Sequence, residues 1–117
     1  MNEVSVDKKL AKSLMDISAV LLRPHDPFTW ASGWHSPIYC DNRRILSHPE
    51  LRSQVAEWLA QKAMELYPEA EVVAGVATGD IAHGVLAADR MQKPFVYVRP
   101  KPKDHGTGSQ IEGELEP

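Results

Sequence analysis

The 117-residue sequence predicts an α/β fold, an open and mostly parallel sheet flanked by helices. Three observations carry that prediction. Residues 71–77, EVVAGVA, are a nearly continuous apolar run, the pattern of a strand covered on both faces. Beyond the Thr78-Gly79-Asp80 turn, Ile81, Val85 and Leu86 keep helical spacing to about Ala88. A second apolar run, Phe95 to Val98, follows Pro94. Strand, turn, helix and strand make one βαβ unit, which implies parallel strands and a right-handed crossover.

The preceding elements follow from the same rules. Val6, Leu10, Leu14, Ile17 and Leu21 fall at steps of three and four, predicting an amphipathic helix over residues 5–21 that Pro24 and Pro27 end. Residues 28–44, FTWASGWHSPIYCDNRR, lack a helical period and carry Ser-Gly and Ser-Pro breaks. They predict a short strand pair or an irregular arm. Ser47 with Glu50 reads as a capping box, with Pro49 in the first turn. Leu51, Val55, Trp58, Leu59 and Leu66 mark a second helix that stops before Pro68. Trp30, Trp34 and Trp58 are expected in the core or a dimer interface, given the area each buries.

Residues 1–117 thus read as one domain, with helices and an irregular arm over 1–70 and the βαβ unit with a loop over 71–117. Two parallel strands do not make a stable sheet, and a loop rarely ends a domain. The expectation is an incomplete domain, the front part of a longer protein.

Composition narrows the function. The chain is 43% hydrophobic and 25% charged, which suits a globular protein. A net charge of −3 gives no reason to expect nucleic-acid binding. Cys40 is the only cysteine, which excludes an intramolecular disulfide and a cysteine-rich zinc site. His25, His35 and His48 have no metal-like spacing with one another or with Cys40, so no protein metal site is expected. His83 reads as a packing or surface residue of its helix. The apolar runs are too short to span a bilayer, and the N-terminus has no signal-peptide core, so a cytoplasmic protein with no membrane partner is expected.

Ligands of open α/β sheets bind outside the carboxyl ends of the strands. Both predicted ends carry suitable residues. Ala77-Thr78-Gly79-Asp80 offers small residues and the amides of a helix N-terminus. The other end is PFVYVRPKPKDHGTGSQIEG, residues 94–113. Arg99, Lys101, Lys103 and His105 occupy every second position there, with Pro100 and Pro102 favouring extended backbone. Gly106 and Gly108 add freedom. A row of cationic groups on a loop after a strand suits a polyphosphate.

These segments resemble the orotate phosphoribosyltransferases. FTWASGWHSPIYCDNR resembles that family's substrate-side arm, VVAGVATGDIAHG its first strand and pyrophosphate-contacting turn, and FVYVRPKPKDHGTGSQIEG its catalytic loop. The resemblance implies a type I phosphoribosyltransferase-like fold. It also implies transfer of ribose 5-phosphate from 5-phosphoribosyl 1-diphosphate to orotate, with Mg2+ carried by the substrate diphosphate. A homodimer sharing the catalytic loop between subunits is implied too. Carried over by motif, Arg99, Lys103 and His105 contact the diphosphate, Lys103 and His105 as catalytic residues, with Thr78 and Gly79 in the pyrophosphate turn. Lys101 joins them, although many members place that lysine one position earlier, where this chain has Pro100. Tyr39 and Cys40 fall on the orotate side, Tyr39 as the stacking candidate. Lysines that some members carry in the arm and the turn are replaced here by Ala31 and Gly79.

One family feature does not occur before Pro117: a later strand ending in two acidic residues and a Thr- and Gly-rich turn, which holds the ribose 5-phosphate. The chain alone is therefore expected to be inactive. The alternative reading is a non-catalytic regulator or binding module on the same fold.

Overall fold

The computed structural model describes residues 5–101 and 110–115. The chain falls into two compact units, divided after Arg52.

In the first unit, the Ser5 side chain accepts the Lys8 N–H at 3.4 Å and opens α1, Val6–Asp16. The helix ends five residues before the predicted Leu21, because Ser18 turns into the left-handed region at φ 60°. The Ala19 N–H then reaches back to the Leu14 carbonyl at 2.8 Å and the Ser18 N–H to Met15 at 3.1 Å, satisfying the last carbonyls. Leu21, which keeps the helical period, lies instead in β1, Val20–Leu22. β1 pairs antiparallel with β4, Ile38–Cys40, setting Leu21 opposite Tyr39. Between them β2, Phe28–Thr29, pairs antiparallel with β3, His35–Ser36. The arm is thus built of short strand pairs, as its turn-rich sequence predicts. One partner strand comes from the stretch assigned to the helix.

A 3₁₀ turn over Asn42–Ser47 follows. Asp41 accepts the Arg43 backbone and Nε hydrogens, both at 3.1 Å, and that guanidinium holds the Asp41 carboxyl below its usual range. Arg44 Nη1 donates to the Ser18 carbonyl at 3.3 Å. Ala19 and Ile45 are the buried apolar side chains described in this unit. α2, Pro49–Leu66, has His48 rather than Ser47 before its first turn, with the His48 carbonyl accepting the Arg52 N–H at 2.7 Å. The predicted capping box is one residue out of phase, since Ser47 is spent in the 3₁₀ turn.

In the second unit, β5, Val73–Val76, and β6, Phe95–Val98, pair in parallel and are joined by α3, Ile81–Met91. This is the predicted βαβ unit. α3 runs past Ala88 and closes at Gln92, φ 55°, with the Lys93 N–H on the Ala88 carbonyl at 3.0 Å. A third strand was not predicted: β7, Ile111–Glu112, pairs antiparallel with β6, setting Glu112 opposite Tyr97. The sheet order is β5-β6-β7.

The buried apolar side chains of this unit come from α2 (Val55, Ala56, Ala60), α3 (Ala87, Ala88, Met91) and β6 (Val96). β5 is less covered than its apolar run suggests, with Ala74 and Val76 both exposed. Helix and sheet meet at glycine: a Cβ on Gly84 would stand 2.7 Å from the Phe95 ring, and one on Gly75 2.7 Å from the Asp80 carbonyl. The tryptophans are not core residues, as Trp30 and Trp34 are 51% and 74% exposed and Trp58 is half-buried. Among the described residues, no helix is long and apolar enough to cross a membrane.

Candidate functional site

In the second unit the site forms where β5 and β6 end. Their register sets Val76 beside Val98, and the Ala77 N–H continues the ladder to the Val98 carbonyl at 2.8 Å. The Thr78-Gly79-Asp80 turn and Arg99 therefore leave the sheet at the same edge. The turn folds back tightly, with the Asp80 N–H on the Val76 carbonyl at 3.0 Å and the Ile81 N–H on Thr78 at 3.3 Å. The Asp80 carbonyl comes so close to Gly75 that any side chain there would collide. The Asp80 side chain makes no capping bond to the amides opening α3, and the space beside Gly79 is open to 4 Å. A helix N-terminus without a side-chain cap, beside open space at Gly79, suits an anion.

Arg99 is held on three sides. Its N–H donates to the Gln110 carbonyl at 2.7 Å, its carbonyl accepts Gln110 Nε2 at 3.1 Å, and its Nε pairs with Glu112 Oε1 at 3.1 Å. Its guanidinium carbon lies 6.0 Å from the Tyr97 ring centroid, at the margin of cation–π contact. Lys101 is exposed. Lys103 and His105 lie outside the described residues.

In the first unit a cleft of about 900 Å³ opens along the arm, lined by Phe28, Trp30, Ile38, Tyr39 and Cys40 with Arg23 and Asp26. The Tyr39 and Phe28 rings lie 5.6 Å apart, tilted by 39°. The Arg23 guanidinium sits 4.4 Å from the Phe28 centroid and pairs with Asp26. Cys40 Sγ donates to Asn42 Oδ1 at 3.2 Å. Flat aromatic walls fit a planar ring, and the Arg23–Asp26 pair sets polar groups at its margin.

No family model matches the chain. It is 56% identical over 110 residues to the orotate phosphoribosyltransferase of Enterococcus faecalis, an alignment covering 94% of this chain and 52% of that protein. The Bacillus subtilis enzyme is 57% identical over 107 residues, covering 92% of this chain and 50% of the relative. The crystal structure of orotate phosphoribosyltransferase from Aeropyrum pernix superposes with a TM-score of 0.75 at 37% identity, over 92% of this chain and 59% of that one. The chain is a homologue of the orotate phosphoribosyltransferases. It spans about half the length of the curated relatives it matches, 52% of the Enterococcus protein. Its fold is the type I phosphoribosyltransferase α/β fold, which reaches as far as adenine phosphoribosyltransferase from Trypanosoma brucei, at 18% identity and a TM-score of 0.60.

Within this orotate phosphoribosyltransferase homologue, Thr78, Gly79 and Arg99 come together at the carboxyl edge of the second unit. Tyr39 and Cys40 line the arm cleft of the first. Sequence reasoning missed Arg23 and Phe28 in the cleft and Gln110 and Glu112 beside Arg99. A two-residue strand such as β7 carries no periodicity to read, and the partners of Arg99 follow only from its pairing. Among the described residues, no group of three His, Cys, Asp or Glu side chains is placed to hold a metal ion.

Proposed function

We propose that the protein transfers the ribose 5-phosphate of 5-phosphoribosyl 1-diphosphate to orotate, giving orotidine 5′-monophosphate and diphosphate in de novo pyrimidine synthesis. One observation carries this reading: the Thr78-Gly79 turn and Arg99 share one sheet edge, in a chain 56% identical to an orotate phosphoribosyltransferase. In this reading Arg99 grips phosphate oxygens from a fixed strand end, as a planar guanidinium does bidentately. Lys103 and His105 bring further positive charge to the diphosphate when their loop closes, and closure keeps water from the ribose. The C1–O bond to diphosphate breaks early, so these groups meet negative charge as it develops. His105 can protonate or hydrogen-bond the leaving group near neutral pH. Tyr39 stacks on the orotate ring. Mg2+ arrives on the diphosphate, consistent with its habit of binding through substrate phosphates rather than a protein cage. A homodimer sharing the loop completes the proposal.

The test is orotidine 5′-monophosphate formation by the full-length protein with orotate, Mg2+ and the sugar diphosphate. Lys103→Ala and His105→Ala should each lower kcat by roughly 10²–10³-fold, the usual cost of losing one preorganised donor to developing charge. Wild-type kcat in both would remove the loop from the mechanism. The 117-residue chain assayed by itself should show no measurable turnover, because residues 1–117 include no acidic pair with a Thr- and Gly-rich turn for the 5-phosphate. Comparable turnover by that chain would show the second anchor to be dispensable.

A further inference from the structure

We propose that Glu112 is a positioning residue for Arg99, fixing which edge of the guanidinium meets the diphosphate. The inference rests on the reading of Arg99 as a diphosphate contact and adds to it a residue from the far side of the loop. Its basis is the geometry of the β6–β7 pairing. Glu112 stands opposite Tyr97, and Arg99 lies two residues beyond Tyr97, on the same side of the strand. Glu112 therefore reaches Arg99 diagonally and takes its Nε at 3.1 Å. The Glu112 side chain is 22% exposed and that of Arg99 38%, so the pair sits in a partly shielded place where geometry counts for more than at an open surface.

A guanidinium is a rigid plane with five N–H donors. With Nε committed to a carboxylate, the plane is fixed and the two Nη groups remain for bidentate contact with phosphate oxygens. An arginine without that partner rotates about its side-chain torsions and must be ordered by the ligand, at a cost in binding. Gln110 strengthens the arrangement. It bonds Arg99 in both directions, with N–H to carbonyl at 2.7 Å and Nε2 to carbonyl at 3.1 Å. The backbone of Arg99 is thus tied to Gln110, just before β7, and its side chain to Glu112 within it.

A carboxylate near an anion site also repels that anion, and the two roles make opposite predictions. If Glu112 acts mainly as a competitor for Arg99, removing its charge tightens sugar-diphosphate binding. If it acts by orientation, the acceptor oxygen matters and the charge does not. The experiment is equilibrium binding of 5-phosphoribosyl 1-diphosphate to the full-length protein, with KM and kcat measured in parallel. Glu112→Ala should weaken binding roughly tenfold, the scale of one hydrogen bond to a charged group, while Glu112→Gln, which keeps an acceptor for Nε, stays within about twofold of wild type. In the Arg99→Ala background, Glu112→Ala should add nothing. Glu112→Met, which keeps the side-chain length without an acceptor, replaces the alanine variant if that one does not fold. Tighter binding in Glu112→Ala, equal losses in Glu112→Gln and Glu112→Ala, or additive losses in the double variant would each overturn the positioning role. Unchanged binding in Arg99→Ala would instead sink the diphosphate reading of Arg99, and the role of Glu112 with it. A loss in Arg99→Ala without one in Glu112→Ala sinks the positioning role alone.

Discussion

The arm over residues 20–40 and the βαβ unit over residues 73–98 both rest on strands of two to four residues, yet they are kept in place by different forces. The arm is held by backbone pairing. β1 and β4 share three residue pairs, β2 and β3 two, and apolar side chains such as Trp30, Trp34 and Ile38 remain exposed. The βαβ unit is held by close packing of small residues, with Ala87 and Ala88 of α3 and Val96 of β6 buried and Gly84 against Phe95. The difference suits two tasks. An open aromatic cleft leaves ring faces available to a planar ligand, and a tight helix–sheet contact fixes the turn and Arg99 against each other. Substitutions should therefore separate the two regions, changing recognition in the arm and stability in the βαβ unit.

The largest effect is expected at the helix–sheet contact. Gly84→Ala puts a methyl 2.7 Å from Phe95 Cε2, and the flanking Gly75 Cα is only 3.7 Å away. Either the ring or α3 must move, which should cost about 1–3 kcal/mol, as overpacking a tight contact usually does. Gly79→Ala, one turn earlier in open space, should change stability by no more than about 0.5 kcal/mol. Chemical denaturation of both variants measures the contrast. Equal midpoints would show that α3 does not rest on the sheet at Gly84.

The same contrast explains what could be read from the sequence. In the βαβ unit the helical period of α3 and the two apolar runs announce their elements locally, and a parallel pair joined by one helix has a single favoured hand. The turn and Arg99 followed from that topology alone. In the arm, Leu21 fits the period of α1 as well as it fits a strand, and only its partner Tyr39 decides between them. The stop at Ser18 was hidden because left-handed caps are usually announced by glycine. β7 was hidden for a third reason, since Ile111 and Glu112 become a strand only by lying beside Val98 and Tyr97. What went unread in each case was a long-range pairing or an uncommon backbone state.

In the arm the expected loss is one of recognition. Tyr39 is 41% exposed and touches Phe28 on one side, so Tyr39→Ala removes a cleft wall without opening a core. On the proposed stacking role, KM for orotate in the full-length protein should rise roughly fivefold, in line with about 1 kcal/mol for an aromatic contact beyond its buried area, with a small change in melting temperature. Tyr39→Phe should retain most of the affinity, because stacking needs the ring and not the hydroxyl. A stability loss in Tyr39→Ala as large as that of Gly84→Ala would mean that the arm is held by side-chain packing after all.

The smallest effect, and a gain, is expected where α1 hands over to the arm. Ser18 adopts φ 60°, a conformation that costs an L-residue roughly 1–2 kcal/mol and glycine almost nothing. Glycine also loses more backbone freedom on folding, which returns part of that advantage. Ser18→Gly should therefore stabilise the protein by about 0.5–1 kcal/mol. Gln92, at φ 55°, ends α3 in the same way, but its side chain also donates Nε2 to the Asp89 carbonyl at 2.6 Å. Gln92→Gly gives up that bond, so its gain should be the smaller of the two. The pair also tests how each region is held. If the arm depends on the backbone path that Ser18 sets between α1 and β1, then Ser18→Pro, which cannot reach positive φ, should disrupt the β1–β4 pairing. Amide exchange at Leu21, Arg23, Tyr39 and Asp41, whose N–H groups bond across the β1–β4 ladder, would report that loss directly, while protection in β5 and β6 should stay near wild type. Uniform loss of protection across both regions would show that they unfold as one and that the distinction between them has no energetic basis.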